Sequence, residues 1–176
     1  FVDLVLARTG ATEVDLVGHS QGGMMPRYYL KFLGGAAKVH QLVALAPSNR
    51  GTTLDGMITL MDLFGLRSVI GPVLTSTVCA SCVDQMKDSP LMQALNAGGD
   101  TVPGVTYTVI ATKYDEIVTP YASQFLSGPA VTNILVQDVC SLDLTGHIGI
   151  VFDPIATQLV LNALDPSRAR TPTCRF

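Results

Sequence analysis

Short apolar runs separated by turn residues set the pattern of this chain. Val14 to Val17, Val39 to Leu45, Val105 to Ile110 and Val131 to Val136 are compact and rich in β-branched residues, as expected of strands buried on both faces. Helical periodicity lies between and around them. Phe1 to Arg8 places Val2, Val5 and Leu6 on one face, Gly22 to Phe32 runs through Met24, Tyr28 and Leu30, and Pro154 to Leu164 aligns Ile155, Leu159 and Ala163. Gly34-Gly35 supplies a helix stop, and Asp165 to Phe176 reads as irregular until Cys174. Strands alternating with helices, without repeats or linkers, predict one α/β domain over 1–176 with a doubly wound parallel sheet.

Positions 52–90 interrupt the alternation. Between Leu54 and Val83 the apolar residues include Met57, Leu60, Met61, Leu63, Phe64, Leu66, Ile70, Val73 and Leu74, but Asp62, Arg67, Gly71 and Pro72 break the run. It is too broken for a membrane span, which needs about 20 apolar residues. An insertion between two sheet strands is where a cap or lid would cover an acyl-binding cleft, and a pair of core helices has the same pattern. Met and Leu suit either role.

The chemistry centres on Gly18-His19-Ser20-Gln21-Gly22, which follows the first strand and opens a helix. A Gly-x-Ser-x-Gly turn in that context holds a serine on a strained tip, and side chains at 18 and 22 are expected to collide with neighbouring backbone. The helix start aims free N–H groups at a developing oxyanion. Pro26 is expected near the first turn, where a missing N–H costs little. A nucleophilic serine needs a base. His19 is read as a packed or hydrogen-bonded turn residue and His40 as a strand-edge residue, leaving His147 in the glycine-flanked loop Thr145-Gly146-His147-Ile148-Gly149. For the acid, Asp115 follows the run Val105 to Ile110; Glu116 is its near competitor, with Asp138 and Asp143 closer to His147 in sequence. The order Ser20, Asp115, His147 matches the α/β-hydrolase triad.

The chain resembles secreted α/β-hydrolase lipases of actinobacterial type, related to the class 2 lipases. Gly-His-Ser-Gln-Gly-Gly-Met-Met-Pro-Arg-Tyr-Tyr at 18–29 carries the resemblance, with Leu-Ala-Pro-Ser-Asn-Arg-Gly-Thr-Thr at 45–53, Tyr-Asp-Glu-Ile-Val-Thr-Pro-Tyr at 114–121 and Asp-Leu-Thr-Gly-His-Ile-Gly at 143–149. It implies an α/β-hydrolase fold, hydrolysis of triacylglycerols and simpler esters without a cofactor or metal, and Ser20, Asp115 and His147 as the triad. Gln21 would give its backbone N–H to the oxyanion hole. Many relatives look to have His at the position of Arg50, which reads as a change of loop polarity only. In the family, several strands and a loop with a second oxyanion donor precede the nucleophile strand, whereas here the elbow arrives within 20 residues. The expectation is therefore the C-terminal portion of a longer protein, a weaker enzyme by itself.

Charge and cysteines narrow the partners. A net charge of -3 and a pI near 5.4 leave no basic stripe for nucleic acid, and a mean hydropathy of +0.39 is high for a soluble chain. Lipid esters and a lipid–water interface fit better. Cys79 and Cys82 lack a second Cys-x-x-Cys or nearby His to complete a metal set, so the expected pairing is Cys79 with Cys82 and Cys140 with Cys174. Disulfides imply a secreted, extracellular protein. The sequence thus predicts a secreted serine ester hydrolase, a triacylglycerol lipase; a carboxylesterase for short soluble esters and a non-catalytic hydrolase-fold binding protein are the alternatives.

Overall fold

The computed structural model describes residues 1–53, 55–56, 63 and 80–174. Most of the expected cap, and the expected Cys79–Cys82 bridge, lie outside the described residues. Helix α1 (Val2–Thr9) leads into strand β1 (Val14–His19), helix α2 (Gln21–Phe32) and strand β2 (Val39–Leu45). Short helices α3 (Ala80–Asp84) and α4 (Pro90–Asn96) precede strand β3 (Thr106–Ala111), followed by strand β4 (Val131–Leu135), the single turn α5 (Val136–Val139) and helix α6 (Pro154–Leu164).

The strands form one parallel sheet in the order β1-β2-β3-β4. Because side chains alternate across a strand, neighbouring residues of β2 feed two different cores. Leu42 joins Leu30, Val39, Val105, Tyr107 and Val109 on the α2 side, whereas Val43 and Leu45 pack with Ile110, Val136, Ile150, Ile155 and Leu159 on the α6 side. Both faces are therefore covered by helices, the arrangement of an α/β-hydrolase sheet. A smaller cluster of Met24, Met92 and Leu95 fixes α4 against α2.

Local chemistry explains the sharpest helix boundaries. Asp153 caps α6 by accepting the backbone N–H groups of Ile155 (3.1 Å) and Ala156 (3.0 Å), with Pro154 in the first turn. Ser89 does the same for α4, accepting from Met92 at 3.1 Å ahead of Pro90. Cys140, buried beside α6, is bridged to Cys174 as expected and so ties the tail to the segment leading to His147. Closing a loop of 34 residues contributes about 3 to 4 kcal/mol in the chain-entropy model. Among the described residues no helix is long and apolar enough to cross a membrane.

In a parallel sheet all strands end on the same side, and the loops beyond those ends converge. Ser20 follows β1, Asp115 follows β3, and His147 follows β4 and α5.

Candidate active site

Ser20 sits between β1 and α2 with φ 55° and ψ -124°, a conformation sparsely populated for any residue but glycine. Such geometry costs about 1–3 kcal/mol and survives only where surroundings impose it. Here the Ser20 N–H donates to the Leu45 carbonyl at 2.9 Å, and the Ser20 carbonyl accepts from Gly23 and Met24 at 3.0 and 3.2 Å. The hydroxyl makes no helix-capping hydrogen bond.

The glycines of the elbow divide differently from the sequence expectation. A Cβ on Gly18 would lie 1.9 Å from the Gly22 carbonyl oxygen, so Gly18 is required by backbone contact. Gly22 is not: a Cβ there meets nothing within 4 Å among the described residues, while Gly23 is tight against Ala44 and Pro47, at 3.0 Å from each. Pro26 stands inside α2, in the turn after its first. Its missing N–H removes the usual helical donor for the Gly22 carbonyl, the same group that abuts Gly18. Gly18→Ala is expected to lower stability by about 3 kcal/mol or more through backbone displacement, whereas Gly22→Ala is neutral or gains about 0.5–1 kcal/mol of helix propensity. Denaturant unfolding of the two variants checks this, and equal effects would contradict the assignment.

The histidine loop meets the loop after β3 through a buried polar contact. His147 Nδ1 lies 2.8 Å from Asp115 Oδ2, with side-chain exposures of 1% and 0%. Asp115 is fully engaged: Oδ1 accepts from the backbone of Ile117 (2.9 Å) and Val118 (2.7 Å), and Oδ2 also accepts from Gln124 Nε2 (2.9 Å). Glu116, the competitor in sequence, bonds the backbone instead, its Oε2 accepting the His147 N–H at 3.1 Å. Asp143 turns its own loop by accepting from Thr145 at 2.7 Å, and Asp138 is exposed. Gln137 joins the two loops, donating to Thr112 Oγ1 and the Asp143 carbonyl while accepting from the Lys113 N–H.

His19 is hydrogen-bonded in its turn, as expected, and its partner is the histidine loop: His19 Nε2 lies 2.8 Å from the His147 carbonyl. The elbow thus touches the loop that bears His147. Burial pushes the His19 imidazole below its ordinary value of 6.5, outweighing the hydrogen bond it donates to the His147 carbonyl, which raises it. The folded protein then holds fewer protons on His19 than the unfolded chain just below that value, so this contribution to stability is whole above pH 6.5 and declines as pH falls through the lower folded value. Urea titrations at about pH 7.5 and about pH 5 should show a smaller loss in His19→Gln than in the parent. His40 corrects the expectation of a strand-edge residue: it stands in the interior strand β2, its exposed ring 2.9 Å from Asp15.

Beneath the site runs a buried polar chain that the sequence did not reveal. Gln124, fully buried, holds Asp115 through its side-chain amide nitrogen, and its backbone carbonyl accepts from Asn49 Nδ2 at 2.6 Å. The Asn49 carbonyl in turn accepts from Arg27 at 2.8 Å. Arg27, 1% exposed, also reaches Asn96 and the backbone carbonyl of Asp100, and pairs with the Asp100 carboxylate at 3.7 Å. Burial pushes its guanidinium down to about 10 despite Asp100. Arg50 therefore does more than alter loop polarity, since it bonds the other oxygen of the same Asp100 carboxylate. An arginine in an apolar helix face was the one available signal for this network; Gln124 offered none.

Among the described residues no group of three or more His, Cys, Asp or Glu could hold a metal. An apolar groove of about 500 Å³ between α1, β1 and α2, lined by Val2, Leu16, Met25, Tyr28 and Leu33, includes none of Ser20, Asp115 and His147.

The family model described as Lipase (class 2) matches residues 1–160. The chain belongs to the class 2 lipase family. Two triacylglycerol lipases, from Pseudarthrobacter phenanthrenivorans and Burkholderia plantarii, are each 54% identical over 44 residues, a segment that is 25% of this class 2 lipase chain and 12% and 11% of theirs. Aspergillus fumigatus lipase B superposes with a TM-score of 0.73 at 27% identity, covering 95% of this chain and 41% of that one. Bacillus licheniformis lipase BlEst2 shares the fold, with a TM-score of 0.59 at 15% identity over 93% of this chain and 69% of its own. The chain thus spans less than half of the Aspergillus protein, and its match covers a small part of the two triacylglycerol lipases.

Proposed function

We propose that this chain carries the catalytic residues of a secreted triacylglycerol lipase that works through an acyl-enzyme on Ser20. The reading rests chiefly on one observation: the buried bond between His147 and Asp115, on a loop whose His147 carbonyl is hydrogen-bonded to His19, the residue before Ser20. With Nδ1–H given to Asp115, His147 keeps Nε2 as a base. Ser20 Oγ adds to the ester carbonyl carbon while its proton passes to His147 Nε2, and the carbonyl oxygen becomes an oxyanion beside the Gln21 N–H. Collapse expels the alcohol, which takes the proton from His147. Water then attacks the acyl-enzyme, gives a proton to His147, and the fatty acid leaves as Ser20 regains it. Asp115 orients the ring and offsets its charge throughout.

The surface around His147 favours a lipid substrate. Leu142, Leu144, Ile148, Val151 and Phe152 are all exposed, Phe152 by 80%. From 139 to 164 the only charged or titratable side chains are Asp143, His147 and Asp153, and all three are buried. A neutral apolar rim suits an ester at an oil surface better than one free in water. The Cys140–Cys174 bridge supports export.

The test is covalent labelling by a serine-directed phosphonate combined with turnover of short soluble and long emulsified esters. Labelling confined to Ser20, lost in Ser20→Ala, with emulsions preferred, is expected; preference for short esters would make the protein a carboxylesterase, and no labelling or turnover would leave a binding protein. Phe152→Asp should reduce emulsion hydrolysis about tenfold with short-ester turnover unchanged, because it places a charge on the rim without touching the buried residues.

A further inference from the structure

We infer that His19 is a positioning residue that sets the His147 backbone against the nucleophile. The inference rests on the assignment of Ser20 and His147 above and adds a role to a side chain which that reading does not use.

His147 is held at three points. Its N–H donates to Glu116 Oε2 (3.1 Å), its ring Nδ1 bonds Asp115 Oδ2 (2.8 Å), and its carbonyl lies 2.8 Å from His19 Nε2. Glu116 and Asp115 both belong to the loop after β3, so they fix His147 relative to that loop alone. His19 is the anchor contributed by the nucleophile's own strand, and it is covalently adjacent to Ser20. A carbonyl oxygen only accepts, so Nε2 of His19 must carry the hydrogen. That leaves the imidazole a donor to the histidine loop, whatever happens at Nδ1. The two rings also lie against each other, with centroids 4.7 Å apart and planes tilted by 48°.

Position 19 is well suited to this task. Its backbone is in register with Leu45 at the end of β1, and the next residue, Ser20, is pinned by its N–H to the Leu45 carbonyl. The side chain that reaches the histidine loop and the backbone that carries the hydroxyl therefore start from the same fixed strand end. Without the bond, His147 would still be oriented by Asp115 but its loop could shift relative to Ser20. Proton transfer is steeply sensitive to such displacement, of which an ångström can cost about 10²-fold.

The experiment compares His19→Phe, which keeps an aromatic ring without a donor, with His19→Gln, whose amide nitrogen reaches about as far as Nε2. His19→Asn, whose amide donor is too short to reach the carbonyl, is the second variant without the bond should the phenylalanine protein fail to fold. With a short soluble ester, Phe or Asn should lower kcat by about 10- to 100-fold with KM within about twofold, and Gln should recover most of the loss. Full kcat in the variants that lack the bond, or an equal loss in Gln and Phe, would overturn the inference while phosphonate labelling of Ser20 in the parent still upheld the serine mechanism. Absence of that labelling would instead remove the mechanism and the inference together.

Discussion

Asp115→Asn is expected to lower turnover about 10⁴-fold in a protein that remains folded. The magnitude follows from which groups meet at Oδ2. That oxygen accepts from both His147 Nδ1 and Gln124 Nε2, while Oδ1 accepts from the Ile117 and Val118 backbone. The two backbone donors require the amide oxygen of an asparagine at the Oδ1 place, so its NH₂ must occupy the other. An NH₂ facing Nδ1 favours the opposite imidazole tautomer, in which Nε2 carries the hydrogen and no longer serves as a base. Glu116→Gln has no such consequence, since an amide oxygen can still accept the His147 N–H, and a loss of no more than about threefold is expected. Steady-state hydrolysis alongside thermal unfolding separates the two; a larger loss at Glu116 than at Asp115 would reverse the assignment of the acid.

Arg27→Met is expected to be strongly destabilising, by about 3 kcal/mol or more, with a fall in Tm of about 6–12 °C. Methionine fills a similar space, so the loss is of polar contacts rather than volume. The guanidinium, itself buried, serves the carbonyls of Asn49 and Asp100, the side chain of part-buried Asn96 and the buried Asp100 carboxylate. Removing it strands those acceptors. Asp100 keeps a partner in Arg50, whose side chain is 42% exposed. Arg50→Gln should accordingly cost less than Arg27→Met, because the Arg50 guanidinium is partly solvated and Arg27 remains beside the buried carboxylate. Guanidinium unfolding of both variants reads the difference, and a costlier change at Arg50 would show that the buried arginine is not the one supporting this corner of α2.

The elements carrying strong local signals were legible in the sequence. β2 and α6 have the predicted limits, because Val39 to Leu45 is unbroken and Asp153-Pro154 announces a cap. Ser20 was marked by its place between a strand and a helix, and His147 by its glycine neighbours. What the sequence could not convey depends on groups distant along the chain. Asp115 and Glu116 are adjacent and chemically alike, and only their different partners on His147 part them. Gly22 matched a motif but occupies an open position, while Gly18 and Gly23 face backbone and side chains that packing alone brings there. The roles of Gln124 and Gln137 arise entirely from loops that meet beyond the sheet.

The strand order has a consequence for synthesis. Since the sheet follows the chain, β1 to β4, Ser20 leaves the ribosome long before Asp115, and His147 emerges after both. By the route proposed here a nascent chain therefore holds a serine with no base to activate it. Activity would switch on in one step, when the loop after β4 reaches the two sites already waiting for it.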